Sequence, residues 1–287
     1  MKKILVPTDF SEQSGFAFDL ASQIAETNDA TIITLHVLDY AGIYDFTAGA
    51  SAYPMMGSPA GLEFDEKFLN TLHSTAEEKM EKFVNTHKKE GIQITTDIKI
   101  GNAYLYITDK IREDDIDLVI MGSKGAGSTS EMLIGSNTEK VVRHAKCPVL
   151  TVKQPKDLKS IHNIVFASNF TPAECSVSND LLKLQAVFNA KLHLVRINTP
   201  NNFETTRKTK RLLQDFIDKN GIKNYTINIY NDKLEEDGII YFAQDIDADL
   251  IALATHRRSG ILHLLSGSIA EDVVNHAQRP VWTFRIK

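Results

Sequence analysis

Apolar positions recur along the first half of the chain with two alternating periods. Short apolar runs at Lys3–Thr8, Thr31–Val37, Ile92–Ile100, Asp117–Met121 and Pro148–Val152 predict strands. Between them the spacing lengthens to three and four residues. Phe16, Leu20 and Ile24 with Ala17 and Ala21 predict a helix over Ser11–Thr27, and Phe68, Leu72, Ala76, Met80 and Phe83 predict one over Glu66–Glu90. Shorter helices are expected over Tyr104–Arg112 and Asn137–Ala145. Strands alternating with helices favour a parallel sheet covered on both faces, because each parallel crossover needs a helix and right-handed connections restrict the topology. The expected class is α/β: a Rossmann-like, doubly wound, five-stranded parallel sheet of order 3-2-1-4-5.

The second half repeats the first. Gln154-Pro155-Lys156-Asp157 is polar and interrupted by proline, which places a linker at 154–160. After it, Asn163-Ile164-Val165-Phe166-Ala167-Ser168-Asn169-Phe170-Thr171 lines up with Lys3-Ile4-Leu5-Val6-Pro7-Thr8-Asp9-Phe10-Ser11. Gly267-Ser268 and Glu271 line up with Gly135-Ser136 and Glu139, and the tail Val142-Arg143-His144-Ala145 returns as Val274-Asn275-His276-Ala277. Two tandem domains are expected, at 1–153 and 161–287, each long enough to bury its own core. Asp39–Asp65, rich in Gly, Ala, Ser and Pro, has no counterpart in the second copy and reads as a long loop.

Composition narrows the function classes. No run approaches the ~18 apolar residues of a membrane helix, and only Ile4, Leu5 and Val6 separate the basic start from Pro7, too few for an export leader. A net charge of -5 argues against phosphate-backbone binding, so no nucleic-acid partner is expected. Cys147 and Cys175 stand far apart without metal-ligand spacing, which disfavours a disulfide framework or a zinc cluster. A cytoplasmic location fits these features best.

The stretch richest in chemistry is Gly122-Ser123-Lys124-Gly125, followed after nine residues by Gly135-Ser136, between a strand and a helix. Glycine allows main-chain amides to approach an anion, and a helix N-terminus adds a favourable dipole, so phosphate is the expected guest. In a doubly wound sheet that guest sits where strands one and four diverge, which brings Asp9 and Gly122 to one crevice. Bland readings stand beside this one. The glycines serve turns, Ser136 and Glu139 form a capping box, and Asp9 caps the helix beginning near Ser11.

The G-x2-G-x9-G-S spacing, the Pro7-Thr8-Asp9 strand end, His36-Val37 and the twofold His-Ala-x-x-Pro-Val tail resemble the universal stress protein family across nearly the whole chain. The resemblance to its ATP-binding branch implies that Pro7, Thr8, Asp9 and Val37 hold adenosine, Asp9 on the base or ribose and Val37 through its backbone. It implies that Met121, Gly122, Gly125, Gly135, Ser136, Asn137 and Thr138 surround the ribose and phosphates. ATP, with or without Mg, is the implied cofactor, with no catalytic or metal-ligating residue assigned. Lys124 stands where relatives often carry His, either adding charge beside a phosphate or facing solvent.

The second copy departs from this pattern where it matters. Ala254 and Arg257 replace Gly122 and Gly125, Asn169 replaces Asp9 and Ala167 replaces Pro7, so ATP binding in the family manner is not expected there. His256, Arg257 and Arg258 form either a cationic pocket or a solvated basic turn, and His256 with His263 is a weak metal signal. P-loop, H-E-x-x-H and G-x-S-x-G motifs are absent from the sequence. The expected function is a nucleotide-dependent regulatory module of a stress response; the alternatives are a slow ATPase or phosphotransfer enzyme, and a vestigial site. The apolar strands Val149–Val152 and Val281–Ile286 are edge candidates, suited to an intramolecular pseudo-dimer of the two copies or to a homodimer.

Overall fold

The computed structural model describes residues 1–39, 59–124, 134–171, 178–255 and 269–285. The first copy runs β1 (Lys3–Pro7), α1 (Glu12–Asn28), β2 (Thr31–Leu38), α2 (Pro59–His87), β3 (Ile94–Ile100), α3 (Ala103–Glu113), β4 (Leu118–Gly122), α4 (Ser136–His144) and β5 (Val149–Val152). A 3-10 turn at Leu158–Ser160 leads into the second copy: β6 (Asn163–Ala167), α5 (Ser178–Phe188), β7 (Lys191–Asn198), α6 (Thr206–Asn220), β8 (Tyr225–Asn231), α7 (Glu235–Asp245), β9 (Leu250–Thr255), α8 (Ile269–His276) and β10 (Val281–Arg285).

All ten strands join one sheet, ordered β3-β2-β1-β4-β5-β10-β9-β6-β7-β8. Each half reads 3-2-1-4-5, with parallel pairing inside the halves and one antiparallel pair, β5 with β10, where they meet. Two-residue alternation decides which helix layer each strand residue serves. Ile4 and Val6 join a core beneath α1 that also holds Phe18, Phe166 and Trp282, while Leu5 and Val119 join the opposite core with Val141, Ile239 and Val273. Both cores run through the two copies without interruption.

The largest boundary difference from the sequence expectation is at the start of α2. α2 starts at Pro59, so residues 59–65 of the expected loop are helical, and 40–58 lie outside the described residues. A proline in the first helical turn has no amide to waste and a suitable φ, although by composition it reads as loop.

At the junction Trp282 lies opposite Leu150, flanked by Val281 opposite Thr151 and Thr283 opposite Val149. The Thr151 hydroxyl donates to the Val281 carbonyl at 3.3 Å and the Thr283 hydroxyl to the Val149 carbonyl at 3.4 Å. Beside it, Arg143 of α4 donates two hydrogen bonds to Glu271 of α8, whose carboxylate is buried. Trp282 is itself fully buried, with no hydrogen-bond partner for its indole N–H among the described residues. Trp282→Ala is therefore expected to cost about 3–5 kcal/mol. Trp282→Phe, which deletes an unpaired donor and keeps an aromatic ring, is expected to cost less than about 1.5 kcal/mol. Urea unfolding followed by circular dichroism checks this, since Trp282 is the sole tryptophan and its fluorescence is lost in both variants.

Candidate functional site

The carboxyl ends of β1 and β4 lie side by side, with Ile4 opposite Leu118 and Leu5 opposite Val119, so Pro7, Thr8 and Asp9 emerge beside Met121 and Gly122. β2 flanks β1 on its other side, placing Val37 two residues beyond the paired Leu35. The turn after β1 is tight. Phe10 has φ 65, and Phe170, at the matching place after β6, has φ 55. Bulky residues at positive φ are unusual and need support from their surroundings. Here the Thr8 hydroxyl accepts from the Phe10 amide at 3.0 Å and donates to Ser14 at 2.9 Å, while Asp9 accepts from the Ser11 amide at 3.1 Å and the Ser11 hydroxyl at 2.5 Å. The cap of α1 is Ser11, which accepts from the Ser14 amide; Asp9 braces that cap from one turn outside.

Beneath the turn the Phe10 ring lies 4.3 Å from that of His36. His36 Nδ1 donates to the Thr8 carbonyl at 2.8 Å. Burial pushes the imidazole pKa below its ordinary value, against the raising effects of the Thr8 bond and the Asp9 charge, with Lys79 lowering it further.

Three elements converge on the end of β4. A side chain at Gly122 would meet Gln13 of α1, its Cβ 3.0 Å from the Gln13 Cβ and 3.1 Å from the backbone carbonyl carbon. The glycine is thus demanded by the close approach of α1, a reason independent of any anion. The Gln13 carboxamide accepts from the Ser123 hydroxyl at 3.2 Å and the Lys124 amide at 2.8 Å. From the other side, the buried Thr138 hydroxyl donates to the Gly122 carbonyl at 3.0 Å. The Gly135 amide donates to the Ser123 carbonyl at 2.8 Å, closing the base of the 125–133 segment. Gly125 lies outside the described residues.

The expected capping box does not form. The N-cap of α4 is Gly135, with no side-chain cap hydrogen bond, so Ser136 is already the first helical residue. Glu139 instead pairs with Arg143 at 3.2 Å. The amides of Ser136, Asn137 and Thr138 are the first three of α4 and have no intrahelical partner, and the Thr138 hydroxyl ties this helix start to the end of β4. An uncapped helix start of this kind concentrates donors and positive potential for an anion. Nearby, burial and the Lys124 charge pull Lys153 down to about 8, and its ammonium donates to the Asn275 carbonyl at 2.6 Å. Two cations crowd the base of the segment.

Two residues at this site carry no sequence motif. Gln13 sits in the first turn of α1, and Asn275 belongs to the second copy, its side-chain oxygen accepting from the Ile134 amide at 2.7 Å. The only available signal was comparison of the copies: Ala173 matches Gln13, and Arg143 matches Asn275.

The second copy has a shallow crevice of about 90 Å3 at the corresponding strand ends, with a different lining. Ala254 stands for Gly122, Ile269 and Ala270 for Asn137 and Thr138, and Glu235 for Ala103. Arg196, at the place of His36, is buried and donates to the Asn169 carbonyl at 2.8 Å and the Asn202 carboxamide at 2.9 Å. Asn202 in turn donates to Asn169 at 3.0 Å and Glu235 at 2.8 Å. A carboxylate on the lining disfavours a polyphosphate. His256, Arg257, Arg258, His263, Gly267 and Ser268 lie outside the described residues. Among the described residues no group of three His, Cys, Asp or Glu is placed to hold a metal, and no helix is long and apolar enough to cross a membrane. Cys147 is a free thiol, pushed up to about 12 chiefly by burial.

The lowered His36 pKa fixes the sign of a pH effect. An unfolded histidine takes up a proton near pH 6.5 while the folded one resists, so stability is lost as pH falls through that value. Chemical denaturation at pH 7 and pH 5 is expected to show this loss, and His36→Gln to shrink it. His193, lowered by burial and Lys191, supplies a residual slope of the same sign.

Comparison with known proteins agrees with both the fold and its duplication. The sequence profile described as the Universal stress protein family matches residues 1–153 and again 161–285. A universal stress protein of Methanocaldococcus jannaschii is 32% identical over 158 residues, covering 53% of this chain and 95% of that protein. One from Synechocystis is 23% identical over 299 residues, covering 99% of this chain and 100% of its own. The crystal structure of a universal stress protein from Archaeoglobus fulgidus superposes with a TM-score of 0.75 at 18% identity, covering 99% of this chain and 98% of that one. With a match to each half, a full-length tandem relative and a shared architecture, the chain belongs to the universal stress protein family.

Proposed function

We propose that the first copy, residues 1–153, binds ATP, and that the protein acts as a nucleotide-dependent regulatory module in the cytoplasm. The observation that carries this reading is the start of α4, which has no side-chain cap hydrogen bond and is tied by Thr138 to the end of β4, at the switch between β1 and β4. Polyphosphate suits that end through main-chain donors and the helix dipole. Lys124 and Lys153, which repel one another across the base of the segment, would be relieved by an anion between them. At the opposite end of the crevice, the Pro7–Asp9 turn and the Val37 backbone offer the polar edge that an adenosine needs. Met121, Gly122 and Gly135 act as the floor, and Gly125 completes the set by resemblance. Mg2+ would reach the site with the phosphates, since no protein ligand is assigned to it.

The second copy, residues 161–287, is read as the structural half of an intramolecular pseudo-dimer built on the β5–β10 pair. That pairing consumes both edges that a partner chain would otherwise use, which leaves any homodimer to other surfaces.

ATP at roughly a hundred times its Kd is expected to stabilise the protein by about 2.7 kcal/mol, read as a rise of several degrees in Tm. Gly122→Ala, which forces α1 away from the end of β4, is expected to lower the ligand-free Tm and to weaken the ATP-dependent rise. Absence of any rise in the wild-type protein, together with no nucleotide recovered from denatured material, overturns the reading. Steady phosphate release from labelled ATP would transfer the site to the hydrolytic class.

A further inference from the structure

Positions 143 and 275 are duplicates, occupying the same place in the two His-Ala tails, yet they do opposite things. Arg143 reaches across the junction to the buried Glu271 and along its own helix to Glu139. Asn275 reaches back into the first copy, where its side-chain oxygen accepts from the Ile134 amide at 2.7 Å and its carbonyl accepts from Lys153 at 2.6 Å. The difference is chemical. A guanidinium has only donors, so an arginine at this place cannot hold a backbone amide, whereas a carboxamide oxygen can.

The consequence is local and directional. Ile134 immediately precedes Gly135, whose amide is committed to the Ser123 carbonyl, and Ser136 opens α4. With the Ile134 and Gly135 amides both engaged, the first donor left for a ligand is that of Ser136. Gln13 holds the other end of the segment at Lys124, and the second copy has Ala173 there. The first copy thus has carboxamides fixing both ends of its segment, one supplied from within and one by its neighbour.

We propose that Asn275 is a positioning residue of the first copy's anion site, supplied in cis by the second copy, so that nucleotide affinity in one half depends on a side chain of the other. The proposal rests on the nucleotide reading above and deepens it. It also gives the degenerate copy a reason to be retained: it aims the amides of α4 without binding nucleotide itself.

The test compares the full-length wild type with Asn275→Leu, which removes the acceptor at similar volume, and Asn275→Asp, which keeps it. ATP affinity is measured by titration calorimetry, and amide exchange at Ile134 is measured without ligand. Asn275→Leu is expected to raise the Kd about three- to tenfold, the worth of one preorganising hydrogen bond, and to speed exchange at Ile134. Asn275→Asp is expected to retain the protection. Should the leucine variant fail to fold, Asn275→Ser, too short to reach the amide, carries the same comparison. Unchanged ATP affinity, or unchanged exchange at Ile134, overturns the proposal. A wild type that gives no heat with ATP removes the nucleotide reading instead, and that failure is distinguishable because Ile134 exchange still reports whether Asn275 holds it.

Discussion

The carboxyl end of β4 is usable by three elements at once only because residue 122 has no side chain. α1 packs so close that a Cβ at this position would lie 3.0 Å from the Gln13 Cβ, α4 clasps its carbonyl through Thr138, and β5 pairs with it through Val152. Remove that closeness and Gln13 no longer reaches Lys124, nor Gly135 the Ser123 carbonyl. A strand end of bare main chain beside a helix start without a side-chain cap follows from this one steric allowance. The proposed ligand suits the same arrangement, because helix-start amides without intrahelical partners are open to water or to an anionic guest.

Duplication supplied two such strand ends and the chain has kept them unequal. In the second, Ala254 adds the methyl group that Gly122 lacks, Ala270 removes the Thr138 clasp, and Glu235 places a carboxylate on the lining. Arg196 is spent on internal bonds with Asn169 and Asn202. The junction is unequal as well: Arg143 ties the halves together through Glu271, while its duplicate Asn275 serves the first copy's segment. The continuous sheet makes such exchange feasible, since β5 and β10 hold α4 and α8 in fixed register with one another.

The fold was legible in the sequence because its signals are periodic and local. Apolar runs such as Ile4–Val6 and Leu118–Met121 belong to strands buried on both faces, and the three- and four-residue spacing of α1 marks the face it buries. The start of α2 was not legible, because Pro59 and Gly61 carry loop composition into a helical turn. At the site, Pro7, Thr8, Asp9, Val37, Met121, Gly122 and residues 135–138 stand at the ends of β1, β2 and β4 and the start of α4, and Gly125 lies outside the described residues. Ser136 and Glu139 satisfy the capping pattern on paper, but the helix begins one residue early, with Gly135 as its cap, and a one-residue shift lies below what pattern resolves. Gln13 and Asn275 act across separations of 111 and 141 residues, where no local spacing can point to them.

On the proposed reading, the helix-start amides of the first copy, and not those of the second, receive the phosphates of ATP. Titrating isotopically labelled protein with ATP and following individual backbone amides by NMR tests it most directly. Saturable shifts are expected at Ser136, Asn137 and Thr138, with little change at Ile269 and Ala270. Shifts centred on the start of α8, or none in either copy, would contradict it.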